Sequence, residues 1–139
     1  MPKNYKINMV AMCDQVYRDE DTGKAILAGY YPGDILLTSM PQQVNVSFYI
    51  EIMLEDRRPH ELDIQFWLDD KHHGGGKSSV GAENPSDPVS IFLPPVSMNI
   101  AGPGTLVLRL SLDGQKGEKI LEKKLRLRNS PASASPPPS

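Results

Sequence analysis

The chain has 139 residues and a mass of 15.4 kDa, with 39% hydrophobic and 23% charged residues, enough for one globular domain with a single core. That composition excludes a membrane-spanning or wholly disordered polymer. A net charge of -2 and a pI near 5.9 exclude a whole-molecule electrostatic grip on nucleic acid.

The first residues carry Lys3 and Lys6, but the apolar run from Ile7 to Cys13 is short and interrupted by Asn8, unlike the apolar segment of an export signal. Cys13 is the only cysteine, so the chain can form neither an internal disulfide nor a multi-cysteine zinc cluster. Both features predict a cytoplasmic protein, with Cys13 as a small core residue on a strand.

From there the apolar residues repeat with period two, the spacing of a strand with one buried face. Residues 5–16 place Ile7, Met9, Ala11 and Cys13 on one side and Lys6, Asn8, Val10 and Met12 on the other. An acidic turn from Arg18 to Gly23 leads into a partner strand over residues 24–31. The clearest alternation is in residues 44–55, where Val44, Val46, Phe48, Ile50, Ile52 and Leu54 share a face. Asp56 to Pro59 predicts a hairpin into a strand over residues 61–68, with Leu62, Ile64, Phe66 and Leu68 inward and Trp67 outward.

Residues 71–87, rich in Gly, Ser, Pro and Asn, form the longest irregular stretch and are expected to be a loop. A strand over residues 89–93 is interrupted by Pro94 and Pro95 and continues over residues 96–100 as an edge or sheet-switching segment. Gly102-Pro103-Gly104 launches a strand containing Leu106, Leu108, Leu110 and Leu112, which Asp113-Gly114 turns into a final strand over residues 120–127. No helix is expected. Residues 129–139 contain four prolines and no large apolar side chain, the composition of a disordered tail able to adopt polyproline II. The whole reads as an all-β, antiparallel two-sheet sandwich of immunoglobulin-like type, with about seven strands in a single domain over residues 1–128.

Two segments carry a resemblance. Residues 10–16, Val-Ala-Met-Cys-Asp-Gln-Val, followed by Gly23-Lys24-Ala25-Ile26-Leu27-Ala28-Gly29, resemble the opening hairpin of a family of short bacterial proteins of unknown function. The Pro103-Gly104 to Asp113-Gly114 strand is similar to that family's later hairpin. The resemblance spans most of residues 5–128 and implies a cytoplasmic β-sandwich, with no catalytic residue to transfer. Cys13 before Asp14 and the histidine-glycine segment depart from the pattern.

Motifs with chemistry attached are sparse. Gly76-Lys77-Ser78 imitates the end of a phosphate-binding loop, but its first glycine would fall at Lys71 and no helix follows. Asp69, Asp70, His72 and His73 have metal-binding atoms, yet neighbouring side chains on a strand diverge, whereas a site needs three or four convergent ligands. No Gly-x-Ser-x-Gly elbow is present. The chain is therefore expected to be non-enzymatic and to need no cofactor.

Binding surfaces offer more. Tyr49 and Trp67, on strands read as paired, point away from the apolar rows and form a candidate aromatic face for a protein partner. Residues 116–128 hold six Lys or Arg against two Glu, a basic stripe including Lys123 and Arg126 that protects a sheet edge or meets an acidic partner. Its few interleaved aromatics argue against nucleic acid. The reading is a cytoplasmic module that binds or scaffolds another protein, with self-association through an edge strand open to it. The alternatives are a phage-derived structural accessory protein, a carbohydrate or small-ligand module, and a metal-dependent hydrolase using residues 69–78.

Overall fold

The computed structural model describes residues 5–82, 84 and 86–128. The tail expected over residues 129–139 lies outside the described residues. Among the described residues ten strands form two packed, unclosed sheets and no segment is helical, so none of them forms a helix long and apolar enough to cross a membrane.

The first sheet contains β1 (Tyr5–Arg18), β2 (Ala25–Tyr30) and β4 (Gln42–Leu54) in the order β2-β1-β4. Along the far edge of β4 lie β7 (Val89–Phe92) and β8 (Val96–Ile100), the former against Tyr49 to Ile52 and the latter against Gln42 to Val46. Pro94 and Pro95 separate them because neither has an N–H to donate to the ladder. The second sheet runs β3-β10-β9-β5-β6, from β3 (Ile35–Leu37) through β10 (Glu118–Leu127), β9 (Gly104–Leu112) and β5 (His60–Leu68) to β6 (Lys71–Val80). All pairings are antiparallel except β3 with β10.

The expected sandwich is thus present, with ten strands rather than about seven. The alternating residues of β4 meet those of β5 and β9 between the sheets, where the rings of Phe48 and Phe66 lie 5.1 Å apart. A bulge in β1 between Ile7 and Met9 changes which side chains face inward. Ile7, Val10 and Met12 consequently join the main core, and Ala11 and Cys13 enter a second cluster with Tyr49 on the outer face of the first sheet.

Two connections differ from expectation, and one short strand was not expected. The turn at residues 56–59 is not a hairpin, because β4 and β5 belong to different sheets and the chain crosses the core there. Residues 71–80 are not a loop. They form β6, joined to β5 through Asp69 and Asp70, whose φ angles of 51° and 64° suit a two-residue primed turn. The last strand is flanked by β9 and, at Leu125 to Leu127, by the three-residue β3, which is too short to carry a period-two signal.

A buried histidine ties the crossing to the rest of the molecule. His60, 3% exposed, stands with Nδ1 2.5 Å from Asp113 Oδ2 and Nε2 2.7 Å from Asp56 Oδ1. Asp113 also accepts the Glu61 N–H at 2.9 Å, so the β4–β5 crossing and the β9–β10 turn are joined around one imidazole. Burial by itself would lower the His60 pKa, but the hydrogen bonds and charges of Asp113 and Asp56 outweigh it and hold it above the ordinary value. The Asp56 carboxyl is held below its ordinary value chiefly by His60.

The imidazolium's stabilising effect is complete below the unfolded pKa of about 6.5 and disappears as pH rises through the raised folded value. Protonation of Asp56 removes it from the acid side. Urea unfolding across pH should therefore show His60→Asn less stable by about 1.5–3 kcal/mol near pH 6, the range for hydrogen bonds to charged groups, with the deficit shrinking in alkaline buffer. A deficit independent of pH would contradict the charged clamp. At the β5–β6 turn, Asp70→Gly should raise stability by about 0.5 kcal/mol, since glycine takes the left-handed conformation without penalty. No gain in urea midpoint would contradict that assignment.

Candidate functional site

The structure separates the residues expected to act together. Tyr49 and Trp67 occupy the outer faces of different sheets, so they form no common aromatic surface. Tyr49 is 5% exposed, packs against Phe92 at 5.2 Å between ring centroids, and shares hydrogen bonds with Ser90 at 2.9 Å and Glu51 at 3.1 Å. Burial pushes its phenol pKa up, the Ser90 hydrogen bond opposes the rise, and the Glu51 carboxylate adds to it. The Arg18 guanidinium lies 5.8 Å from the Phe92 ring and closes this patch.

Trp67 is half-buried on the second sheet, its indole edge-on to His72 at 5.2 Å beside Val107, Asp70 and Arg109. Its Nε1 is buried with no acceptor among the described residues.

The basic stripe is also divided. Lys123 turns inward, is 8% exposed, and donates from Nζ to the Tyr31 carbonyl at 2.7 Å. Arg126 remains on the surface, with Nε 3.2 Å from Asp34 Oδ2. The bulge in β10 between Lys119 and Leu121 sets which of its side chains turn toward the interior, a change the alternation of the sequence does not reveal.

The feature that sequence reasoning missed lies where both sheets end on the same side. A recess of about 600 Å³ opens between β6 and the β7–β8 edge, within the range of ligand-binding pockets. Its floor includes Leu62, Ile64 and Phe66 from β5, facing Ile91 and Met98 across the gap, all less than a tenth exposed. The recess exists because of the inward row of β6. Gly74 pairs with Phe66, Gly76 with Ile64 and Ser78 with Leu62, so the strand that should cover these apolar side chains offers almost no side chain of its own.

The three glycines of β6 have different physical reasons. Gly74 follows a bulge and has φ 152°. At Gly75 an added Cβ would run into the Ile64 carbonyl oxygen. Gly76 has neither constraint, since nothing lies within 4 Å of a Cβ placed there and its φ is not positive. His73 borders the recess, whereas the Lys77 side chain, paired with outward-facing Asp63, turns to the exposed face, where its Nζ lies 3.8 Å from Glu61 Oε1. The sequence signal was the Gly74-Gly75-Gly76 run, legible only once this segment is known to be an edge strand.

Metal-binding donors do not assemble here. His72 turns to Gln65 and the Trp67 ring, His73 lines the recess, and Asp69 accepts the Thr105 N–H at 2.8 Å. Among the described residues no group of three or more His, Cys, Asp or Glu is placed to hold an ion.

No protein-family model matches the sequence, and no curated protein matches it. The resemblance to short bacterial proteins therefore rests on the two segments that suggested it.

Proposed function

We propose that this protein is a non-enzymatic binding module that engages a partner chain by accepting an extended segment along β6. The observation that carries the reading is the unpaired outer edge of that strand. Over ten residues without proline, β6 pairs only with β5 among the described residues, so its other row of backbone N–H and C=O groups is available. An added strand gains main-chain hydrogen bonds from such an edge and specificity from the pocket beside it.

The other edges are poorer templates. β3 has three residues, β2 six, and the β7–β8 edge is broken by Pro94 and Pro95. The buried thiol of Cys13, with its pKa raised first by burial and then by Asp14, favours the reducing cytoplasm as the setting.

A random linear-peptide library displayed against the full chain tests the reading. Binders should slow amide hydrogen exchange in β6. Of two versions of a binder, N-methylated at its odd or its even amides, at least one should lose affinity. Protection confined to another part of the molecule, or full affinity in both methylated versions, would remove the basis for strand addition.

A further inference from the structure

We infer that the recess beside β6 seats a bulky apolar side chain of the added segment. This rests on the strand-addition reading above and names the chemistry of the partner. The argument starts from Gly76. Glycine in a strand gives up packing and conformational entropy, and a β-branched residue would suit both the pairing and the apolar side chain of Ile64 opposite. Neither a positive φ nor a crowded Cβ requires glycine at this position.

The effect of its missing side chain is to keep open the space above Ile64, between β6 and Met98 on β8. Because residues alternate along an extended chain, a strand laid on β6 sends every second side chain toward this apolar floor.

The probe is an eight-residue peptide, acetylated and amidated, alternating leucine with serine and carrying glutamate at both ends. Gly76→Val should fold with a melting temperature at least equal to the parent's, yet bind the probe at least tenfold more weakly. Gly76→Ala should show a smaller loss, and serves if valine crowds the strand. Replacing the probe's leucines by serine should weaken binding to the parent by a similar factor.

If Gly76→Val binds the probe as the parent does while N-methylation of the probe abolishes binding, the recess inference fails and strand addition stands. If the probe does not bind, or binds regardless of methylation and of Gly76→Val, both fail. Uptake of dodecanoate without uptake of the peptide would overturn the strand as occupant in favour of an acyl chain. Dimerisation through β6 that excludes the probe would overturn it in favour of a second copy.

Discussion

The interlocking of β4 with β5 and β9 is the contact on which the rest of the molecule depends. Six inward side chains of β4, from Val44 to Leu54, are each no more than 7% exposed, and the four inward leucines of β9 are fully buried. With Phe48 against Phe66 at its centre, this layer fixes the spacing of the two sheets and the face each strand turns inward. A strand displaced by one residue would present its polar row to the same interior. Everything peripheral, including the edges, the turns and the recess, takes its position from that registration.

Polar groups near this interior are accommodated in two ways. His60 is enclosed where the chain passes from one sheet to the other, and its two carboxylate neighbours hold the ring from both sides. Lys123 turns its amine to the Tyr31 carbonyl, while the Tyr31 hydroxyl donates to Asp14 at 2.6 Å. The Tyr31 phenol is pushed up to about 12, first by its burial and then by the Asp14 carboxylate. Each device connects segments far apart in sequence, so these groups specify which strands lie near one another as well as satisfying their own hydrogen bonds.

The two sides of the sandwich are finished differently. Where β1 and β2 meet, Val16, Ala25 and Leu27 pack with Ala11, Cys13 and Tyr49, and Phe92 completes a second small apolar cluster on the outer face. On the side of β6 and β7–β8, glycines and prolines stand where covering side chains would be expected. The layer between the sheets opens toward β6, which is also the longest regular edge strand. The proposed strand addition rests on that coincidence rather than on the chemistry of any single residue.

Period-two alternation was sufficient to expect the buried rows of β4, β5 and β9 and the hairpins β1–β2 and β9–β10, because each depends on a strand's own side chains and on turns a few residues long. Hidden from it were the sheet to which each strand belongs, the bulge that redirects β1, and the parallel docking of β3, all of which depend on partners distant in the chain. Tyr49 and Trp67 show the difference. Their outward orientation was legible, but a crossing between sheets, in place of a hairpin, put them on opposite surfaces. The glycine run of β6 likewise has the composition of a loop, and becomes a strand because β5 supplies a complete ladder against it. The amino-acid sequence alone determined which residues must leave water, since that follows from side-chain chemistry and local spacing. Tertiary structure decided which edge stays unpaired and where the core lies open, since backbone hydrogen bonding and sheet closure are properties of the assembled strands.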